Sequence, residues 1–232
     1  MSPETLRAHA IWLASKRVRV VSLEELARLR DDVDAVALTF DDGFQNFAEI
    51  VAPALAEHAL PATIFVVAEH VGGHNNWGGG APGAVIPTLP LMTWDALGAQ
   101  LATGITIGAH TRRHRDLRQV RGASLEDEVA GCVERIAGEL GVRPSTFAYP
   151  YGAVDVTSAT VVRDIFELAC TTELRALRRD DDRALLPRLD MYYFRDAGQL
   201  ESWGTNAFKR RLWLRAQGRR VKRLMQGTGR AA

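Results

Sequence analysis

Two acidic residues and two histidines have types and spacings that would allow them to bind one metal ion. Asp41 and Asp42 are adjacent, and His110 and His114 form the pattern H-x-x-x-H. Two imidazoles and one carboxylate suit Zn²⁺, and three protein ligands leave a position for water, which is typical of catalytic sites. The second carboxylate would then be available as a base. Spacing alone does not determine which aspartate binds the metal.

A third polar group, YPYG at residues 149–152, completes a pattern of position along the chain. Each of the three groups comes at the end of an apolar, β-like run, at residues 35–40, 105–109 and 145–149. Apolar strands that alternate with helices predict a parallel sheet, either closed as a barrel or open and doubly wound. The carboxyl ends of such strands share one rim. We therefore expect the three groups to meet in space.

The same alternation of strands and helices extends over most of the chain. Further strands are predicted at residues 18–21, 62–68 and 166–172, and helices at residues 6–14, from Ser22 onward, and at 46–58, 94–102, 124–140 and 157–165. One connection, residues 71–90, carries six glycines between Gly72 and Gly83. A connection of this length in a compact domain is typical of a functional or disordered loop.

The composition is that of a folded globular protein. The 232 residues are 47% hydrophobic and 25% charged, which excludes a disordered chain. No apolar run reaches about eighteen residues, and the N-terminal segment lacks the pattern of a secretory signal. We therefore expect a soluble, cytoplasmic protein. Cys132 and Cys170 lack C-x-x-C spacing and are expected to be buried thiols rather than disulfide partners or zinc ligands.

The net charge of +1 conceals two regions of opposite charge. From Thr205 to the end there are nine basic residues and no acid, which leaves 20 basic against 28 acidic residues before it. We therefore predict a catalytic domain over residues 1–204 and a basic C-terminal helix or tail over residues 205–232. Because the acidic domain would oppose a polyanion, no nucleic-acid partner is expected.

The basic tail also suggests a contact with the inner membrane surface. Between Phe208 and Met225, apolar residues alternate with basic ones at spacings that a helix could partly sort into two faces. The alternative is a terminal helix with its apolar side on the domain and its basic side in solvent. Gly218 weakens a continuous helix in either case. The sequence gives no indication of the oligomeric state.

The three polar groups resemble the first three motifs of the polysaccharide deacetylases, the carbohydrate esterases with a NodB-homology domain. The matching segments are LTFDDG at residues 38–43, IGAHTRRHRDL at 107–117 and FAYPYG at 147–152. The resemblance extends from Val33 to Asp190 and implies an α/β fold, a deformed (β/α) barrel. It implies hydrolysis of an N-acetyl group from an amino sugar in a poly- or oligosaccharide. The implied metal is Zn²⁺, and another divalent transition metal remains open.

The resemblance also implies roles for single residues. Asp42, His110 and His114 would bind the metal, and Asp41 would act as the base. The backbone N–H of Tyr151 would stabilise the oxyanion, in a turn fixed by the preceding proline. An alternative for Tyr151, and for the tyrosine two residues before it, is a role in packing.

Two departures from the family pattern affect the expected mechanism. Ala148 stands where many members have an arginine that orients the base, and we expect Arg188 to replace it. An ion pair of Arg188 unrelated to catalysis is the alternative. The family's late histidine, taken as the general acid, is absent because no histidine follows His114. His70, His74 or the protonated base could supply that proton instead. With these departures, the sequence resembles a branch of the family that is associated with exopolysaccharide or cell-envelope sugars.

Two other functions remain open at this level. The missing arginine and late histidine permit a carbohydrate-binding pseudoenzyme, although the intact aspartates and histidines argue against it. An amidase acting on a non-sugar C–N bond is the second alternative. Trp77, within the glycine-rich connection, and Trp94, just after it, favour a saccharide because indole rings stack on sugar faces. A role in the core is the alternative for Trp94.

Overall fold

Six parallel strands form a single curled sheet in which spatial order follows chain order. The computed structural model describes residues 2–29, 33–77 and 87–228. Neighbouring strands pair in parallel throughout, and the sheet curls into part of a barrel, as expected for a deformed (β/α) barrel. The strands are β1 (Arg19–Val21), β2 (Ala35–Phe40), β3 (Ala62–Val66), β4 (Thr106–Ala109), β5 (Thr146–Ala148) and β6 (Leu168–Cys170).

Helices precede, connect and follow the strands. Two of their ends show local reasons for their position: the Ser22 hydroxyl accepts the N–H of Glu25, and Gly141 ends a helix in the left-handed region at φ 68°. The helices are α1 (Pro3–Ala14), α2 (Leu23–Leu26), α3 (Ala52–Ala56), α4 (Trp94–Leu101), α5 (Ala123–Leu140), α6 (Val156–Ile165) and α7 (Asn206–Thr228).

The connection between β2 and β3 differs from the expected single α-helix. Residues Phe47–Val51 form a π-helix that leads directly into α3, and the N–H of Ala52 donates to the carbonyl of Phe47, five residues earlier. Pro53 follows and has no N–H to continue an α-helical pattern. The irregular first turns are therefore explained by this proline.

The main core lies between the sheet and its helices. β3 is buried over its whole length, and α5 contributes a stripe of buried residues that includes Val129 and Ile136. Cys132 and Cys170 are both buried and unpaired, as expected. Burial raises the pKa of the Cys132 thiol to about 12 and that of Cys170 to about 11. Neither thiol is therefore poised as a nucleophile or a metal ligand.

The C-terminal helix α7 packs on a second, smaller core next to α1. Phe208 is buried there with Trp12 and Phe194. α7 continues through Gly218 as one helix, because contacts with the domain compensate for the low helix propensity of glycine. The division of the chain at residue 204 stays a prediction.

The basic residues of α7 do not all face solvent, which differs from the packing alternative expected for the tail. Three of its arginines turn towards the domain: Arg211 donates to the Gln199 carbonyl, Arg215 to the Tyr193 carbonyl, and Arg219 pairs with Asp190. Trp213 and Leu214, by contrast, are more than half exposed. Val221, Leu224 and Met225, which were part of the membrane prediction, lie outside the described side chains.

Within the described residues, no helix combines the length and the apolar character needed to cross a bilayer.

The described ends of the glycine-rich connection are held by hydrogen bonds. Asn75 donates to the Pro87 carbonyl and accepts the N–H of Leu89, and His74 bridges to Pro90. Residues 78–86, which carry four of the six glycines, lie outside the described part.

Candidate active site

The turn after β2 presents two adjacent carboxylates to different partners. Asp42 has φ 74° and Gly43 has φ 77°, so the chain reverses sharply at the strand end. A Cβ on Gly43 would lie 3.3 Å from the Val66 side chain, so this position favours glycine. The reversal directs Asp42 towards the two histidines and Asp41 towards Arg188.

Both histidines follow β4, and each is fixed by a hydrogen bond at Nδ1. His110 is 2% exposed, and its Nδ1 lies 2.7 Å from the Ala148 carbonyl, to which it must donate. His114 Nδ1 lies 3.0 Å from the Tyr151 hydroxyl. In both cases the contact leaves Nε2 facing Asp42, as hydrogen bonds behind a ligating imidazole commonly do.

The Nε2 atoms of His110 and His114 and the Oδ1 atom of Asp42 form a set that fits a metal ion. Each Nε2 lies 3.4 Å from Asp42 Oδ1, and the ligand atoms of all three residues lie within 4.8 Å of one another. Four-coordinate zinc with bonds of about 2.0–2.1 Å separates its ligands by about 3.3 Å. Asp42 Oδ1 is buried without a hydrogen-bond partner among the described residues. A buried carboxylate oxygen needs compensation, and a cation between these atoms would supply it.

Charge within the site displaces the pKa values of all three residues. Burial raises the pKa of Asp42, but the imidazoles of His110 and His114, each 3.4 Å away, outweigh it and hold that pKa well below its usual range. Burial lowers the pKa of both histidines, and for His110 the carboxylates of Asp42 and Asp41 reverse the direction. Asp42 is therefore ionised at neutral pH, as a metal ligand must be.

Arg188 binds Asp41 through both of its terminal nitrogens. Nη1 lies 2.6 Å from Oδ1 and Nη2 lies 2.8 Å from Oδ2, while Nε donates to the Thr171 carbonyl at 2.9 Å. This two-pronged geometry fixes the plane of the carboxylate. Burial raises the pKa of Asp41, but the guanidinium outweighs it and lowers that pKa below its usual value.

Arg188 reaches Asp41 from the segment that follows β6. Leu186, two residues earlier, pairs in parallel with Cys170 of β6, which carries the segment along the sheet to the rim. Ala148 is fully buried at the end of β5, where its carbonyl accepts a hydrogen bond from His110. The structure thus brings Arg188 to Asp41, the partner expected from the sequence.

The turn after β5 lies directly against His114. Tyr151 has φ 60°, an unusual conformation for a residue with a side chain, and its ring packs edge-on against His114 at 4.7 Å between centroids. Gly152 is required here because a Cβ would lie 2.1 Å from Thr172 Oγ1. The contact of the Tyr151 hydroxyl with His114 was not predicted, since sequence spacing gives no signal for it.

Two of the other aromatic candidates have clear positions. Trp77 packs on His114 with 4.4 Å between ring centroids and 33° between ring planes, so it forms one wall of the site. Trp94 is partly buried against the core, which favours the packing role. His70 packs edge-on against Trp77, with 5.1 Å between centroids, and does not join the ligand set. His74 is exposed on the connection.

A buried acid that the sequence analysis missed holds the segment between the histidines. Glu128 of α5 is 2% exposed and accepts the backbone N–H of Arg113, while its own carbonyl accepts the N–H of Arg112. Thr111 and His114 on either side have positive φ values of 63° and 58°. The contacts from α5 therefore support a strained loop at the site. The signal in the sequence that could have identified Glu128 was a polar residue on the core face of a predicted helix.

Sequence comparison finds a family model and several relatives that match the chain. The sequence model of the family described as polysaccharide deacetylase matches residues 29–165, more than half of the chain. Bacillus subtilis YxkH, whose naming as a polysaccharide deacetylase is provisional, is 21% identical over 188 residues, which are 78% of this chain and 62% of that protein. Chitin deacetylase 1 of Cryptococcus neoformans is 27% identical over 124 residues, 53% of this chain and 22% of that protein. The chain thus spans less than two thirds of either relative.

Solved structures share the fold at low sequence identity. The Streptococcus pyogenes deacetylase PplD, in complex with acetate, superposes with a TM-score of 0.69 at 20% identity and covers 81% of this chain and 80% of that one. IcaB from Ammonifex degensii superposes with a TM-score of 0.67 at 22% identity and covers 82% and 83%. Together with the sequence match over residues 29–165, this shows that the chain belongs to the polysaccharide deacetylase family.

Proposed function

We propose that the protein is a metal-dependent hydrolase that removes N-acetyl groups from an amino sugar within a poly- or oligosaccharide. The single observation that carries this proposal is the set of Asp42, His110 and His114, next to Asp41, which is paired with Arg188. One carboxylate could serve as ligand and the other as base, each with its own partners. We further propose a role in exopolysaccharide or cell-envelope metabolism.

The chemistry follows from what each residue can do. A metal held by Asp42, His110 and His114, zinc in our proposal, would polarise the amide carbonyl and make water more acidic. Asp41 takes a proton from the attacking water, and Arg188 keeps that carboxylate ionised and oriented until then. The water oxygen bonds to the amide carbon, and the backbone N–H of Tyr151 is our proposed donor to the oxyanion.

Release of the amine requires a proton in the second half of the reaction. The C–N bond breaks as the amine leaves, and acetate is the other product. Among the described residues, neither His70, which packs against Trp77, nor the exposed His74 belongs to the ligand set. We therefore propose that the protonated Asp41 returns its proton to the departing nitrogen, which restores the base for the next cycle.

A substrate panel tests the proposed activity. Acetate release is measured with purified protein on N-acetylated mono- and oligosaccharides and on acetylated peptides and simple acetamides. We expect release from the saccharides only, because Trp77 gives the site an aromatic wall suited to sugars. Release from the non-sugar amides alone would favour the amidase alternative, and saccharide binding without release would favour a pseudoenzyme.

Removing Arg188 is expected to shift the pH dependence of the reaction. Without the guanidinium the pKa of Asp41 rises, so the base becomes protonated at higher pH, and the acid limb of kcat/KM moves upward. Arg188→Met should also lower kcat by about 10- to 100-fold through loss of orientation, and Arg188→Lys by less. The control is Arg163→Met, which removes an arginine paired with Asp182 away from the ligand set. An acid limb that stays in place would show that Arg188 is only structural.

We also propose that the protein is cytoplasmic and that its basic tail contacts the inner membrane surface. The absence of acids after Thr205 supports an attraction to anionic lipids, at about 1 kcal/mol per basic residue near the surface. Co-sedimentation with liposomes should therefore require anionic lipid and weaken at high salt. Equal binding to neutral liposomes, or binding that ignores salt, would contradict this.

A further inference from the structure

A large groove lies between α7 and the segment after β6. Its volume is about 940 Å³. One wall consists of residues 171–175 with Arg178, and the other is formed by one face of α7, including Lys209, Leu212 and Trp213. No part of the proposed reaction uses this space.

The groove adjoins the candidate active site. Gly152, which lines it, directly follows Tyr151, whose ring contacts His114. Thr172, also in the lining, donates its hydroxyl to the Tyr151 carbonyl at 3.4 Å. The Thr171 carbonyl accepts from Arg188. The backbone that supports the site therefore also forms the groove wall, so an extended ligand could occupy both.

The wall formed by α7 is fixed in position by the arginines described above. Arg211 donates to the Gln199 carbonyl and the Ser202 hydroxyl, both at 3.2 Å, and Arg215 donates to the Tyr193 carbonyl at 3.1 Å. These contacts turn the arginines to the domain and leave Trp213 59% exposed while it lines the groove. An exposed indole on a fixed helix is a ready stacking surface.

The charge of the groove favours an anionic ligand. Arg175 pairs with both Asp181, at 2.7 Å, and Glu173, at 3.0 Å, so these three side chains together carry one net negative charge. Arg178 and Lys209 are exposed, and no carboxylate in the described part of the chain lies within ion-pair distance of either side chain. Set against that one negative charge, Arg178 and Lys209 leave the groove net positive, and Lys209 lies beside the aromatic surface of Trp213 on α7.

We propose that this groove is a second saccharide subsite, which binds a neighbouring sugar of the same chain that carries an anionic substituent, a carboxylate or a phosphate. Trp213 stacks on the sugar face, and Lys209 and Arg178 bind the anion. The proposal rests on the proposed deacetylase function and adds that the substrate is an acidic saccharide longer than one unit.

Binding measurements on a slow variant test this subsite without turnover. Isothermal titration calorimetry on the Asp41→Asn protein would compare N-acetylglucosamine, its neutral hexamer, a hexasaccharide that alternates N-acetylglucosamine with glucuronic acid, and a phosphorylated oligosaccharide of equal length. Adding Trp213→Ala should weaken all three oligosaccharides by roughly tenfold and leave the monosaccharide unchanged. Adding Lys209→Ala should weaken only the anionic ones, and less so at high salt.

Neighbouring residues on α7 provide matched controls. Leu214 and Arg210 are exposed and do not line the groove, so Leu214→Ala and Arg210→Ala should leave every affinity unchanged. A preference for the uronate or for the phosphate arm would identify the anion. Oligosaccharide affinities that are equal in the parent, Trp213→Ala and Lys209→Ala would overturn the subsite while the deacetylase proposal stands. If none of the saccharides bound, both the subsite and the deacetylase proposal would be overturned.

Discussion

Replacement of His110 or His114 by alanine is expected to abolish metal binding and activity together. Each variant removes one of three ligand atoms that lie within 4.8 Å of one another. A bound metal contributes several kcal/mol to the transition state, so we expect acetate release to fall by about 10³-fold or more. Metal content is measured by elemental analysis and activity by acetate release, with circular dichroism to show that the fold is kept.

A buried histidine outside the ligand set provides the matched control. His9 in α1 is 3% exposed, comparable to His110, and takes no part in the ligand set. His9→Ala should therefore retain its metal even if it loses some stability. Stoichiometric metal in the double variant of His110 and His114 would show that the metal site has been assigned to the wrong residues.

The second large effect is expected at Asp41. Asp41→Asn keeps the shape of the side chain and one oxygen for Arg188 but cannot accept the proton from water, so turnover should fall by about 10²- to 10⁴-fold. The metal should remain, because Asp41 points to Arg188 rather than to the histidines. Turnover under saturating substrate and metal content are measured on the same preparation.

The neighbouring aspartate gives the direct comparison for this prediction. Asp42→Asn should lose the metal, because Asp42 Oδ1 lies 3.4 Å from both imidazole Nε2 atoms. The two substitutions are chemically identical and one residue apart, so general damage to the turn should affect both alike. Equal metal loss in the two variants would mean that the roles of base and ligand are not divided in this way.

The order of strands and helices could be predicted because both the apolar runs and the helical patterns are local. β2 has the predicted bounds, and the other five strands lie within theirs. The π-helix at Phe47–Val51 could not be predicted, because the pattern of apolar residues does not distinguish a π-helix from an α-helix. Pro53 was the one local indication. The choice between barrel and open sheet depends on long-range pairing, and the family resemblance supplied it.

The sequence predicted which residues come together at the site, but it did not predict most of the hydrogen-bond and ion-pair partners of these residues. The different partners of Asp41 and Asp42 depend on the φ of 74° at Asp42, which spacing does not specify. Arg188 was found because an arginine was missing elsewhere and its position followed a presumed strand. The Tyr151 hydroxyl at His114 and the inward arginines of α7 depend on tertiary packing, and a helical periodicity plot would place the latter in solvent.

The most direct test of the central claim is a metal titration of the unaltered protein. The chain is stripped with chelator, dialysed, and given Zn²⁺ in steps while acetate release from an N-acetylated oligosaccharide is recorded. We expect no release from the stripped protein, a linear rise to a plateau at one equivalent, and no rise in the His110→Ala protein treated in parallel. Full activity without metal, or a rise in His110→Ala equal to that of the parent, would contradict catalysis at the site formed by Asp42, His110 and His114.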